Sequence, residues 1–132
     1  MSRPARIAIR ADVDIITARQ RGRTLAAELG FPKMDLALIA TAISELARNI
    51  LTYAGEGEIE LGHDDRRGRR AIVVVARDRG PGIADVALAL QDGYSTSGSL
   101  GIGLPGVRRL MDEFELTSAA GSGTTVKATK WR

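Results

Sequence analysis

The sequence predicts one α+β domain over residues 1–132, with helices on one face of a mixed, mostly antiparallel sheet. The length of 132 residues fits one domain of ordinary size. Helical patterns gather early in the chain, and the later strand patterns pair through hairpins. Apolar residues make up 44% and charged residues 27% of the chain, which excludes a disordered or fibrous protein.

The first half of the chain predicts one strand followed by two helices. Polar and apolar residues alternate from Arg6 to Arg10, as in a strand with one buried face. We expect Asp12 or Asp14 to cap the next helix and Gly30 to end it. The second helix carries a stronger apolar stripe, made of Leu36, Ile39, Ile43, Leu46, Ile50 and Tyr53.

The second half predicts two hairpins with a helix between them. Strands at 58–61 and 71–76 flank a turn at 66–70 that holds four arginines, and the second strand is apolar throughout and therefore central. We expect a helix from Pro105 to Phe114. Further segments are a short amphipathic stretch at 85–90, a glycine-rich loop at 93–103, and closing strands at 114–118 and 124–131.

Composition excludes several classes of site. The chain has no cysteine, which removes disulfides, thiolate zinc sites and cysteine nucleophiles, and its single histidine, His63, removes histidine-rich metal sites. No apolar run approaches the roughly 18 residues of a membrane span, so we expect a cytoplasmic protein. The formal net charge is +3. The arginines at 66–70 lack interleaved aromatic residues, and we interpret them as a solvated hairpin tip rather than a nucleic-acid site.

Two patterns place polar groups beside the predicted core. Glu45 and Asn49 are four residues apart on the second helix, so they share a face at the margin of the apolar stripe. They could face a cleft, or they could be a solvated pair beside a surface contact of Arg48. Asp78 follows the central strand, where it could accept a hydrogen bond from a ligand amine or simply begin a turn. Gly80 and Gly82 would let the backbone approach a flat ligand.

Two glycine-rich stretches come later. The loop at 93–106 offers hydroxyl groups, glycine amides and a helix start, which together could cradle phosphates, although a merely flexible loop is the alternative. By itself, the turn at 121–125 indicates only a hairpin.

In this order the four stretches resemble the N, G1, G2 and G3 boxes of the GHKL (Bergerat-fold) ATP-binding superfamily. The resemblance implies a two-layer α/β sandwich. Longer strings resemble its anti-sigma factor serine/threonine kinase group and, within that group, the stressosome switch kinases. These strings are residues 42–50, 53–55, 92–98, 103–107, 109–114 and 130–131.

The resemblance implies a Mg-ATP-dependent protein serine/threonine kinase. Glu45 would be the catalytic base, Asn49 the Mg²⁺ ligand, and Asp78 the partner of the adenine amino group. The remaining nucleotide-binding residues would be Gly80, Gly82, Ser97, Gly98, Gly101, Gly103 and Thr124.

The resemblance also implies partners. The substrates would be STAS-domain scaffold proteins, and the released kinase would activate a PP2C-type phosphatase or another output protein, with no part for nucleic acid or membrane.

Many anti-sigma kinases place an arginine for the γ-phosphate where this chain has Ser95, Thr96 and Ser97. Arg48 and Arg108 are therefore the local candidates for that positive charge. The alternative function is a non-catalytic ATP-binding interaction module resembling an anti-sigma factor.

Overall fold

The computed structural model describes residues 4–80, 103–118 and 121–132. The segment expected at 85–90 and most of the glycine-rich loop lie outside these residues. The described elements follow the predicted order of one strand, two helices, a hairpin, a helix and a second hairpin. They are β1 (Ala5–Ile9), α1 (Asp12–Glu28), α2 (Lys33–Tyr53), β2 (Gly57–Arg66), β3 (Arg69–Asp78), α3 (Gly103–Leu110), β4 (Glu113–Ser118) and β5 (Thr124–Trp131).

The five strands form one sheet in the order β1-β2-β3-β5-β4. Each neighbouring pair is antiparallel, whereas the sequence predicted a mixed, mostly antiparallel sheet. For two of these pairs the direction follows from the connection, because β2–β3 and β4–β5 are hairpins and a hairpin can only join antiparallel strands. β3 lies in the centre as predicted, and the α+β class is confirmed.

One face of the sheet is apolar and packs against the helices. The register places Ile59 opposite Ala76 and Leu61 opposite Val74, so that alternate residues of neighbouring strands share this face. The other face carries charge, including a hydrogen bond of 2.7 Å from Arg77 Nη1 to Glu60 Oε2. The buried residues of the helix-facing side are Ile7, Ile9, Ile59, Leu61, Ile72, Val74, Ala76, Val126 and Ala128.

Helix α1 begins with an aspartate inside its first turn. Asp14 Oδ2 accepts hydrogen bonds from the backbone N–H groups of Arg10 (2.8 Å) and Ala11 (3.0 Å). Ala11 is the N-cap residue, so the expected stabilisation comes from Asp14 and not from a capping side chain at Asp12. Gly30 follows the helix with φ +88°, as predicted for a C-terminal stop.

Helix α2 buries its predicted stripe except at the C-terminal end. Tyr53, expected in the stripe, is 47% exposed. Ile50 packs at the end of the sheet, where its Cγ2 lies 2.8 Å from the position that a Cβ on Gly57 would occupy. Tyr53 lies about one turn further along the helix, at the end of the sheet where β2 begins.

Helix α3 is shorter than predicted. It ends at Leu110 instead of reaching Phe114, which lies in β4 opposite Ala128. The Leu110 carbonyl accepts a hydrogen bond of 3.0 Å from Lys130 Nζ, and Asp112 N donates to the Thr129 carbonyl at 2.9 Å. These bonds to β5 draw the chain into the sheet, a long-range effect that the helical periodicity does not contain.

None of the helices in the described ranges combines the length and the apolar character needed to cross a membrane.

We expect Gly123→Ala to destabilise the fold strongly. Gly123 has φ +78°, and a Cβ there would lie 2.3 Å from the Asp78 carbonyl oxygen. Gly121 is the matched control, because its φ is +80° but its Cβ would have no described atom within 4 Å. Urea unfolding should show a loss of about 1 kcal/mol for Gly121→Ala and of roughly 2–4 kcal/mol for Gly123→Ala. Equal losses would contradict the close approach of this turn to Asp78.

Candidate functional site

The candidate site lies where the end of the central strand meets the end of α2. Asp78 is the last residue of β3 and pairs with Gly57 on β2 and with Thr124 on β5. A Cβ on Gly80 would lie 2.6 Å from the Ala54 Cβ, so the chain after β3 is packed directly on the C-terminus of α2. The structure therefore brings together three predicted site residues, Asp78, Gly80 and Thr124.

The side chain of Asp78 is held by the turn that it begins. Its Oδ1 accepts a hydrogen bond of 2.9 Å from the backbone N–H of Gly80. The turn interpretation is therefore correct, but it uses only one carboxylate oxygen. The side chain is half-buried, and none of the residues that the structure describes is seen to donate a hydrogen bond to Oδ2, which has the capacity to accept one.

Gly80 is required by packing. A Cβ at this position would also lie 2.9 Å from the Ala54 Cα, which is backbone and cannot move aside as a flexible side chain can. The sequence suggested that Gly80 lets backbone approach a ligand. The structure adds that Gly80 lets the β3 end approach α2, which fixes the separation of Asp78 from that helix.

Thr124 is held by a neighbour that the sequence analysis did not single out. Ser118 Oγ lies 2.9 Å from Thr124 Oγ1 and donates a hydrogen bond of 2.9 Å to the Gly123 carbonyl. Ser118 and Thr124 are also the last register pair of β4 and β5. The sequence does indicate this contact, because Ser118 and Thr124 stand at the facing ends of the two predicted hairpin strands.

Glu45 and Asn49 lie on one face of α2, but their environments differ. Glu45 is buried, at 7% exposure, and Asn49 is half-buried. Glu45 Oε1 accepts a hydrogen bond from Arg48 Nη1. The alternative of a solvated pair is therefore wrong for Glu45. Arg48, for which we expected a surface contact, instead donates a hydrogen bond to this buried carboxylate.

Helix α2 orders the candidate groups along its axis. With 1.5 Å of rise per residue, Asn49 lies about 8 Å and Glu45 about 14 Å before Ala54, the residue that contacts Gly80. Along the helix axis, the order is therefore Ala54, which Gly80 contacts, then Asn49, then Glu45.

The remaining predicted residues belong to the glycine-rich segment. Gly82, Ser97, Gly98 and Gly101 lie outside the described residues. Gly103 is described as the first residue of α3, with φ +66°. Helix α3 packs against α2, and its buried residues are Pro105, Gly106 and Val107.

The described residues contain no group of three or more histidine, cysteine, aspartate or glutamate side chains that could hold a metal ion. Asn49 nevertheless suits a magnesium ion, because its amide oxygen is a hard donor and Mg²⁺ often takes only one or two protein ligands beside phosphates and water. Two surface cavities, of about 440 and 360 Å³, share Gly62 and His63 in the second half of β2, and no predicted site residue lines them.

The arginine-rich tip lies at the other end of the β2–β3 hairpin from Asp78. The guanidinium groups of Arg66 and Arg69 lie 5.0 and 5.7 Å from the centre of the Trp131 ring. Arg66 also pairs with Asp64 at 3.0 Å and with Glu113 at 3.7 Å. These contacts within the fold support the interpretation as a hairpin tip, and they give the C-terminal tryptophan a partner that the sequence analysis did not foresee.

Comparison with known sequences identifies relatives. A family model described as a histidine kinase-like ATPase domain matches residues 9–130. The chain is 54% identical over 125 residues to the serine/threonine-protein kinase RsbT of Bacillus subtilis (strain 168), covering 95% of this chain and 94% of the relative. It is 33% identical over 120 residues to an anti-sigma F factor of Caldanaerobacter subterraneus subsp. tengcongensis, covering 86% and 82%.

Two solved structures share the fold. The crystal structure of the RsbU and RsbW domains of Rv1364c from Mycobacterium tuberculosis has a TM-score of 0.64 and 22% identity, covering 99% of this chain and 33% of that chain. The histidine kinase domain of the blue-light activated histidine kinase from Erythrobacter litoralis EL346 has a TM-score of 0.54 and 20% identity, covering 90% and 59%. The match of residues 9–130 and the identity to RsbT confirm the resemblance inferred from the sequence motifs. The chain belongs to the family of histidine kinase-like ATPase domains, the GHKL type.

Proposed function

We propose that this chain is a Mg-ATP-dependent protein serine/threonine kinase that acts by partner switching. The observation that carries the proposal is a buried carboxylate, Glu45, four residues before Asn49 on α2, the helix whose C-terminus packs against the chain after Asp78. Membership of the ATPase family supports the use of ATP, and the 54% identity to a serine/threonine-protein kinase supports the reaction class.

Asp78 would recognise the base of the nucleotide. Its Oδ1 is held by Gly80 N, so Oδ2 is the oxygen that can accept a hydrogen bond from the adenine amino group. Guanine carries a carbonyl oxygen at the equivalent ring position, which would face this oxygen as a second acceptor. Thr124 lies next to Asp78 in the sheet register and would support the same end of the nucleotide.

Asn49 would hold the Mg²⁺ ion through its amide oxygen, with the other ligands coming from phosphates and water. When bound, the ion would neutralise phosphate charge. Asn49 lies on α2 between Glu45 and Ala54, the residue that Gly80 contacts. This position would suit a triphosphate that extends along the helix. Gly103, Gly101, Gly98 and Ser97 would close over the phosphates.

Glu45 would act as the general base. The hydroxyl oxygen of the substrate serine or threonine would form a bond to the γ-phosphorus while the bond to the β–γ bridging oxygen breaks. ADP would leave, and the hydroxyl proton would pass to the Glu45 carboxylate. Phosphoryl transfer depends chiefly on alignment and charge neutralisation, so a modest base suffices when it is correctly placed.

The proposed substrates are STAS-domain scaffold proteins in the cytoplasm. The names of the relatives support partner switching, since they include RsbT and an anti-sigma F factor. A phosphate on the scaffold would lower its affinity for the kinase, because it adds negative charge and strong acceptor oxygens to a fitted interface. The released kinase would then activate a PP2C-type phosphatase or another output protein.

A second candidate function is an ATP-binding interaction module without catalysis. Its support is the similarity to an anti-sigma F factor, together with serine and threonine at residues 95–97 where many anti-sigma kinases carry an arginine. The two functions differ in one measurable property, which is whether the partner gains a phosphate.

We expect the chain, incubated with Mg-ATP and a purified STAS-domain partner, to phosphorylate that partner on serine or threonine. Phosphoamino-acid analysis and intact-mass measurement detect the product, and omission of Mg²⁺ is the control. Binding of both ATP and the partner without any transferred phosphate would favour the second function and reject the first.

We expect Asp78→Asn to weaken ATP binding roughly 10- to 100-fold. Asparagine keeps an oxygen that can accept the Gly80 hydrogen bond, so the turn survives, but its other group becomes a donor facing the adenine amino group. Titration calorimetry with ATP and GTP measures the affinities and the preference for adenine. Asp65→Asn, on the exposed part of β2, is the matched control and should bind ATP as the wild type does. Equal ATP affinity in the Asp78 and Asp65 variants would remove Asp78 from the site.

We expect Glu45→Gln to lower kcat about 10²- to 10⁴-fold, because the amide cannot accept the hydroxyl proton. The Kd for Mg-ATP should stay within about twofold, since the carboxylate acts only on the incoming hydroxyl. Single-turnover phosphotransfer measures the first quantity and calorimetry the second. Glu56→Gln, in the exposed loop after α2, is the control. Full phosphotransfer by the Glu45 variant would show that another group is the base.

A further inference from the structure

The ion pair between Glu45 and Arg48 joins a buried group to an exposed one. Arg48 Nη1 donates to Glu45 Oε1, and the two residues lie one turn apart on α2. The Glu45 side chain is 9% exposed, whereas the Arg48 side chain is 44% exposed. The arginine therefore reaches from the solvent side of the helix to a carboxylate at the margin of the core.

Because Glu45 is buried, its ion pair with Arg48 matters more than a pair between two exposed side chains. Exposed ion pairs contribute little, because water screens both charges. A buried carboxylate, by contrast, is costly without a hydrogen-bonding or charged partner. Among the described residues, Arg48 is the only recorded partner of the Glu45 side chain. The orientation of Glu45 therefore depends on Arg48.

The structure also distinguishes between Arg48 and Arg108, the two arginines that the sequence offers as sources of positive charge near the transferred phosphate. Arg108 lies exposed on α3 and has no recorded ion pair within the described residues. Arg48 precedes Asn49 in the chain and contacts Glu45. Of the two, only Arg48 contacts another candidate site residue.

We propose that Arg48 is a positioning residue that holds the Glu45 carboxylate in the orientation needed to accept the substrate hydroxyl proton. The inference rests on the proposed kinase function and adds to it a residue that acts through the base. Arg48 compensates the buried charge and limits the rotamers of Glu45, so the base is oriented before the substrate arrives.

The test compares Arg48 variants that remove the positive charge with one that keeps it. Arg48→Met keeps a long aliphatic stem but removes the guanidinium, and kcat for phosphorylation of the STAS partner should fall about 10- to 100-fold. The KM for ATP should stay within about twofold, because the effect concerns the base and not nucleotide binding. Arg48→Lys keeps a positive charge and should recover most of kcat. Arg19→Met, an exposed arginine of α1, should leave kcat and KM unchanged.

A double-mutant cycle separates positioning from a general effect on the fold. If Arg48 acts only through Glu45, Arg48→Met should cause almost no further loss in the Glu45→Gln background. Additive losses would overturn the inference, and so would an Arg48→Met variant that raises the KM for ATP at unchanged kcat, since that result would place Arg48 on the phosphates. Melting temperatures verify that each variant is folded. If Arg48→Met is unfolded at the assay temperature, Arg48→Gln replaces it and should lower kcat without changing the KM for ATP.

The two proposals fail in distinguishable ways. A wild-type chain without phosphotransfer, or a Glu45→Gln variant with full activity, would reject the proposed kinase mechanism and the positioning inference with it. If Glu45→Gln lowers kcat but Arg48→Met does not, the kinase mechanism stands and only the role of Arg48 is rejected.

Discussion

The close packing of the β3 end on the C-terminus of α2 is the constraint on which the candidate site depends. Gly80 makes this contact possible, because any Cβ there would overlap Ala54. The contact sets the distance between Asp78, which belongs to the sheet, and the polar groups of α2, which belong to the helix layer. A site assembled from two layers keeps its geometry only if the layers pack firmly against each other near the site. Gly80 permits this close packing.

A helix is well suited to the other part of the site. The positions of Asn49 and Glu45 relative to Ala54 follow from helical geometry alone, because hydrogen bonding fixes the rise and the rotation of each residue. The buried stripe of α2 then fixes the rotation of the whole helix against the sheet. Core packing therefore determines which polar residues of α2 lie at the margin of the core, and the same apolar residues that stabilise the domain orient its candidate catalytic face.

Local sequence patterns predicted the parts of the fold that local physics determines. The stripe of α2, the shared face of Glu45 and Asn49, and the central position of β3 all follow from periodicity or composition. The contacts that join distant segments were not predictable in this way. Lys130 donates a hydrogen bond to the Leu110 carbonyl at the end of α3. Likewise, Ser118 supports Thr124 only because the two strands align in this register.

Asp78 shows why a structural and a functional interpretation of one residue can both hold. The hydrogen bond from Gly80 N to Oδ1 makes Asp78 a turn-initiating residue, and the same bond fixes the direction of Oδ2. A carboxylate that had to be ordered on binding would lose side-chain entropy at that moment, which reduces affinity. In this chain the turn has already ordered it. In the proposed function, the local bond that a purely structural interpretation invokes would therefore also prepare the second oxygen to accept a hydrogen bond from the nucleotide.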